Sequence, residues 1–177
     1  GSLKIDRFPL GTAITVAKAF APAAPDTAGT LDADIGFKVD GVEKLDVTGR
    51  VGTKDFVMKG GARGADTMNL DKISLDFDVG LKERTLTINK CLFTSPIAGA
   101  KGTGSLVLPR KTAGDATPAK KEYPDGSLAF NARVDLLSIG RQLPNTIDKV
   151  KKGMKITGGA VVIDCKLNSV PTVLKTE

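Results

Sequence analysis

The feature that most constrains this chain is a three-residue pattern that occurs five times along it. Each copy consists of a glycine, a small residue and an apolar residue that opens an alternation of apolar and polar residues. Side chains alternate between the two faces of a sheet along a strand, so each copy predicts a strand with one apolar face. The copies are Gly1-Ser2-Leu3, Gly29-Thr30-Leu31, Gly104-Ser105-Leu106, Gly126-Ser127-Leu128 and Gly159-Ala160-Val161.

Alternation between these copies extends the prediction to an all-β chain of about nine strands with two short helices. Apolar residues at helical spacing predict helices over Leu10–Ala21 and Leu136–Leu143. Lys54–Gly60 is expected to be a strand of its own, and the last clear strand is expected over Lys155–Leu167. The segment 109–124, rich in Lys, Ala, Thr and Gly, is predicted to be a long mobile loop.

Composition makes an enzyme improbable. The 177 residues fit a single domain, 1–177, and contain no histidine, which removes the imidazole base and the histidine metal ligand. We therefore expect no catalytic residues, no metal site and no cofactor. Cys91 and Cys165 are the only cysteines, and the sequence leaves open whether they pair.

The formal net charge is +6; charge alternates in sign along most of the chain, and the local excess of positive charge is one lysine cluster. Such a cluster is typical of a solvated basic rim, and it also suits an anionic membrane surface or lipid head groups. One Tyr, seven Phe and no Trp offer no platform for stacking bases, so no nucleic-acid partner is expected. The basic rim consists of Lys149, Lys151, Lys152 and Lys155.

Acidic residues recur at every second position, as in Asp32 with Asp34 and Asp76 with Asp78. This spacing places them on the polar face of strands, whereas a calcium site normally needs a loop of oxygen ligands. We therefore interpret them as exposed charge. The sequence also contains no run of about 18 uncharged apolar residues, the length that a membrane-spanning helix requires.

The amount of apolar surface decides between two architectures. About nine strands of about eight residues present an apolar face of roughly 1,100 Å², whereas two short helices cover roughly 300 Å². Either the sheet closes into a β-sandwich with an ordinary core, or it stays a single curled antiparallel sheet, a β-groove, whose face takes lipid chains. The aliphatic inward set favours the groove. Its predicted lipid-facing wall is Leu31, Ile35, Phe37, Val39, Ile73, Leu75, Phe77, Leu86, Ile88, Phe130, Val161 and Ile163.

Two of the strand starters are Gly29-Thr30-Leu31-Asp32-Ala33 and Gly104-Ser105-Leu106-Val107-Leu108, and two later segments are Gln142-Leu143-Pro144-Asn145-Thr146-Ile147 and Gly153-Met154-Lys155-Ile156-Thr157-Gly158-Gly159. In these segments the sequence resembles the AsmA-like family of bacterial envelope proteins, the relatives of TamB. The resemblance implies a fragment from the C-terminal region of a larger protein. It further implies an inner-membrane anchor outside this sequence, a periplasmic location beside neighbouring domains of the same chain, and a role in lipid transport or outer-membrane assembly and maintenance.

We therefore expect a non-enzymatic domain that binds or guides phospholipid or another lipid. The alternative is a β-sandwich structural or adhesion module that binds protein partners.

Overall fold

The computed structural model describes residues 1–21, 24–41, 44–60, 66–108, 125–150 and 152–168. Eight strands form a single antiparallel sheet in which each strand pairs with the next along the chain. The sheet is not closed into a barrel, and strands make up 67% of the structure. The strands are β1 (Ser2–Pro9), β2 (Asp26–Asp40), β3 (Lys44–Lys59), β4 (Thr67–Lys82), β5 (Thr85–Thr94), β6 (Ala98–Val107), β7 (Asp125–Asp135) and β8 (Ala160–Asn168).

Three short helices lie in the first and in the last connection between strands. α1 (Leu10–Phe20) connects β1 to β2, and α2 (Leu136–Gln142) with α3 (Pro144–Val150) connects β7 to β8. Successive strands are antiparallel, so β1 and β7 finish at the same end of the sheet. Both helical connections therefore lie at that end, which we call the helical end.

The prediction of a mostly β chain with one open antiparallel sheet is confirmed. The sandwich alternative is not adopted, because all described strands belong to one sheet. The count of nine strands was one too many. Lys54–Gly60 is not a separate strand, because β3 continues through Gly52 and Thr53, and Asp55 takes a positive φ of 52° beside a register shift against β2. A bulge bends a strand without ending it.

The C-terminal part differs from the prediction in two respects. The helix expected over Leu136–Leu143 is present as α2, but a further helix, α3, follows it directly. The last strand begins at Ala160 and not at Lys155, so the alternation from 155 onward overstated its length. The predicted mobile loop 109–124 lies outside the described residues.

The glycine pattern marks more than the starts of strands. Three copies do open strands, but two lie inside β2 and β6. Gly104-Ser105-Leu106 pairs in register with Gly126-Ser127-Leu128, so that each glycine faces the leucine of the other copy. Gly126 has φ 147°, and a Cβ there would lie 2.0 Å from the carbonyl oxygen of Ser105. In these two copies the glycine is required because the neighbouring backbone comes too close for a side chain.

Very little of the described structure is fully buried. The buried hydrophobic residues are Ala33 in β2 and Met68, Leu70 and Ile147 at the helical end. A closed two-layer domain of this length would bury many large side chains. The small core follows from the open sheet, which has no second layer.

Candidate apolar binding face

One face of the sheet is apolar across all eight strands. Residues that pair across an antiparallel ladder place their side chains on the same face, so the register assigns each position to a side. We call this side the apolar face. One cross-strand row, without a polar or glycine member, consists of Ile5, Ala33, Val51, Leu75, Phe93, Ala100, Ala132 and Ile163.

Every residue predicted to line a lipid-facing wall lies on this apolar face. The neighbouring row contains three of them, Ile35, Phe77 and Phe130, in line across the sheet. The others occupy the rows above and below it, on the same side. They are Leu31, Phe37, Val39, Ile73, Leu75, Leu86, Ile88, Val161 and Ile163.

The face is wider than the sequence indicated. Sequence reasoning assigned β1 and β3 to strands but left their apolar residues out of the wall. The register brings these side chains next to β2, and the same alternation would have identified them had strand order been known. The omitted wall residues include Leu3, Ile5, Leu45, Val47, Val51, Val79, Leu81, Phe93, Leu106, Leu128 and Leu167.

Exposure on the apolar face increases from the centre to the margins. Leu75 and Phe77 in β4 are half-buried, although no second layer covers them. At the margins, Phe37 is 43% exposed, Phe130 46% and Ile163 48%. Monomeric soluble proteins rarely expose a contiguous apolar surface beyond a few hundred Å². The apolar face is therefore the strongest candidate for a binding surface in the described part of the chain.

A single hydroxyl interrupts the central strands of the apolar face. Thr53 in β3 stands between Leu31 of β2 and Ile73 of β4. Its Oγ1 is buried and makes no hydrogen bond in the structure. A buried hydroxyl without a partner costs stability, so Thr53 is a weak point of the wall.

The opposite face carries charges that pair across strands. Asp76 accepts hydrogen bonds from Arg50, which lower the pKa of this carboxyl. A backbone hydrogen bond from Arg7 (2.9 Å) and Lys54 at 3.4 Å lower the pKa of Asp32. These acidic residues thus form part of a charged outer surface. The described residues contain no group of three or more side chains suited to holding a metal ion.

Shallow depressions also occur on the charged face. One of about 290 Å³ lies over β1 to β4 and is lined by Lys4, Asp32, Arg50, Lys54 and Lys72 among others. Another, of about 510 Å³, lies over β5 to β7. Charged side chains border the first, and Lys54 pairs there with Asp32. The apolar face is a broad open surface by comparison.

Both cysteines lie on the apolar face, in the same cross-strand row. Cys91 of β5 and Cys165 of β8 are connected through Gly102 and Phe130. Three strand spacings separate them by about 14 Å, whereas a disulfide requires Cα atoms within about 7 Å. Both thiols are free, and each is partly exposed on the wall.

A buried carboxylate organises the helical end. Asp66, directly before β4, is 2% exposed, and its oxygens accept hydrogen bonds from the backbone N–H groups of Asn145 (2.9 Å) and Thr146 (2.6 Å) in the first turn of α3. The Nδ2 of Asn145 donates a further bond of 2.8 Å. Burial raises the pKa of Asp66, but the hydrogen bonds from Thr146 and Asn145 outweigh it and lower the pKa to about 2.

A second long-range contact fastens α2 to β4. β5 pairs with β4 only from Ser74 onward, so the earlier residues of β4 have no strand on that side. The side-chain oxygen of Gln142 accepts a hydrogen bond of 2.8 Å from the backbone N–H of Asn69. Together with Asp66, this contact holds α2 and α3 against the extension of β4 at the helical end.

The basic rim lies at the same end. Lys149 is in the last turn of α3, and Lys152 and Lys155 follow it before β8; all three are exposed. Lys151 lies outside the described residues. The arrangement places positive charge beside one end of the apolar face.

No family model, curated protein or solved structure matches the chain. Within the described residues, no helix has the length and apolar character needed to cross a membrane.

Proposed function

We propose that this chain is a non-enzymatic lipid-binding domain whose apolar face takes up the acyl chains of phospholipids or similar lipids. The observation that carries the proposal is the continuity of the apolar face across eight strands without a covering layer. Covering about 300 Å² of it would contribute about 7 kcal/mol at roughly 25 cal/mol per Å², before the cost of ordering the chains is subtracted.

The chemistry of the face suits flexible chains more than a rigid ligand. Its side chains are mainly aliphatic, and the polar groups that would fix the orientation of a small molecule are scarce on it. The lysines of the basic rim are positioned to attract anionic head groups while the chains lie along the sheet. In the intact protein, we propose, this arrangement serves lipid transport or membrane maintenance on the periplasmic side of a bacterial inner membrane.

Matched charge insertions test the wall. Phe130 and Ala129 are neighbours in β7, but Phe130 lies on the apolar face and Ala129 on the charged face, and both are exposed. We expect Phe130→Asp to abolish extraction of a fluorescent phospholipid from vesicles, and Ala129→Asp to leave it unchanged. Circular dichroism verifies that both variants are folded. Equal extraction by the two variants would contradict the proposal.

The two native thiols provide a second readout without mutation. Both lie on the wall, so bound acyl chains are expected to slow their reaction with a water-soluble maleimide. Vesicles of phosphatidylglycerol and of phosphatidylcholine serve as lipid sources, and a lipid-free sample serves as reference. Protection by both lipids indicates chain binding. Association with phosphatidylglycerol vesicles without thiol protection would show surface attraction by the lysines alone and would refute the groove.

The second candidate was a protein-binding module. Its sandwich architecture is wrong for this chain, and no described feature specifies a protein segment on the apolar face. Native mass spectrometry of protein purified from cells separates the two candidates, since co-purifying phospholipid supports lipid binding and a purely proteinaceous partner supports the alternative.

A further inference from the structure

The two outer strands of the sheet differ in how their open edges are protected. β1 contains Arg7 with a positive φ of 50° at a register shift, ends in Pro9, and carries the charges of Lys4 and Asp6. A bulge, a proline and charged side chains are devices that prevent an edge strand from pairing with another chain. The free edge of β1 is thus unsuited to adding a strand.

β8 lacks the bulge and the proline over its nine residues, and its two charged residues, Asp164 and Lys166, are of opposite sign. It pairs with β7 without a register shift, contains no proline, and has no residue with positive φ between Ala160 and Asn168. Its apolar side chains are exposed, with Val162 at 55% and Leu167 at 60%. An unprotected edge presents a row of outward N–H and C=O groups that is ready to accept a further strand.

We propose that β8 pairs with β8 of a second copy of this chain, in an antiparallel register centred on Cys165. In this register Asp164 faces Lys166 of the second copy, and the same pair forms again across the two-fold axis. Ile163 faces Leu167 of the second copy on the apolar face. The result is a two-fold symmetric dimer with one continuous sheet of sixteen strands.

The sequence of β8 selects this register among its neighbours. The two-fold axis can pass through a residue of β8 or between two residues. Only an axis through a residue places the apolar faces of both copies on the same side of the joined sheet. Centring on Asp164 places two carboxylates directly opposite, and centring on Lys166 places two ammonium groups opposite; both are destabilising. Only the register centred on Cys165 provides two ion pairs and keeps the apolar residues together.

The proposal does not rest on lipid binding, because it concerns the edge of the sheet and not its apolar face. The interface is small, so we expect dissociation constants in the micromolar range, measured by sedimentation equilibrium. Lys166→Asp and Asp164→Lys are each expected to weaken the dimer by about ten-fold or more, since each places like charges opposite. The double exchange Asp164→Lys/Lys166→Asp restores the ion pairs and is expected to recover the affinity to within about three-fold.

Two controls keep the outcome interpretable. Lys4→Asp changes the charge by the same amount on the protected edge strand β1 and is expected to leave the dimer intact. In a Cys91→Ser background, diamide, which takes up the two electrons and two protons released when two thiols join, should link copies through Cys165. The register places those Cα atoms within about 5.5 Å. Introducing Lys166→Asp into that background should suppress the link.

A monomer at about 100 μM overturns the proposal, whether or not lipid binds. So does a dimer that the single charge reversals leave intact or that the double exchange fails to restore. The Cys165 link decides the matter if a charge variant proves unfolded by circular dichroism.

Discussion

The chain contains two strand–helix–strand units of similar sequence pattern, and they are held in different ways. In the first, α1 follows β1 without a side-chain hydrogen bond at its N-cap, buries no residue fully, and contacts β2. In the second, Asp135 caps α2, Asp66 of a distant part of the sheet caps α3, and Ile147 is buried. Similar local patterns therefore do not lead to similar anchoring.

The second unit, which is the C-terminal one, provides the long-range contacts at the helical end. Gln142 and Asp66 connect the second unit to the start of β4, across the strands between β4 and β7. In the described part of the first unit, α1 contacts the strand that follows it, β2, for example through the exposed pair of Lys18 and Asp26. We therefore expect substitutions in the two units to have unequal effects on stability.

The largest contrast is expected between Ile147 and Val16. Ile147 of α3 is 8% exposed and Val16 of α1 is 60% exposed. Ile147→Ala leaves a cavity and should cost about 3 kcal/mol of unfolding free energy, whereas Val16→Ala should change it by less than about 0.5 kcal/mol. Urea unfolding measures both. Equal losses would mean that the first helix is anchored as firmly as the second.

A second pair of substitutions tests what the two units share. Gly29 and Gly126 both have positive φ, and an added Cβ would lie 2.7 Å or less from a backbone oxygen. Gly29→Ala and Gly126→Ala should each cost about 2 kcal/mol. Gly36→Ala is the control, because nothing lies within 3.4 Å of its added Cβ. If alanine at one of the two positions leaves the stability unchanged, the glycine of the pattern is not required by the backbone in that unit.

Removing the buried cap should lower the melting temperature. Asp66→Ala deprives the first turn of α3 of its acceptor, and we expect a decrease of about 5 °C by differential scanning calorimetry. Asp26→Ala, which removes an exposed partner in the first unit, should change it by about 1 °C or less. A similar decrease in both variants would show that the long-range cap adds nothing.

The same buried carboxylate should also make the stability depend on pH. The pKa of Asp66 falls from 3.8 to about 2 in the folded protein. A lowered pKa stabilises the fold above the unfolded value, and this contribution is lost as the pH decreases from about 4 to about 2. Asp66→Asn should remove that part of the pH dependence. An unchanged profile between these pH values would place the acid sensitivity at other carboxylates.

Much of the fold follows from alternation within single strands. Leu31 to Val39 and Ile73 to Val79 were assigned to strands and to one face because side chains alternate regardless of what lies beside them. For the same reason the residues of the predicted wall all lie on one face of the sheet. Its extension over β1 and β3 required the pairing register, which depends on which strands become neighbours.

The elements that sequence reasoning missed depend on residues far apart in the chain. Pro144 is the first residue of α3, a position that proline favours, but it was interpreted only as the end of the preceding helix, and the carboxylate that caps α3, Asp66, lies about eighty residues earlier. The length of β3 was underestimated because Gly52-Thr53 was interpreted as a connection between two strands, whereas both residues pair with β2 and with β4. The separation of Cys91 from Cys165 likewise follows only from strand order.

The sequence by itself determined that this protein forms strands with one apolar and one polar side, since the period of two is a local property of the backbone. Tertiary structure alone decided that the strands form one open sheet, that no second layer among the described residues covers the apolar face, and that β1 and β8 are the two edge strands. Those outcomes depend on which strand edges meet and on long-range hydrogen bonds such as that of Asp66, and no local pattern encodes them.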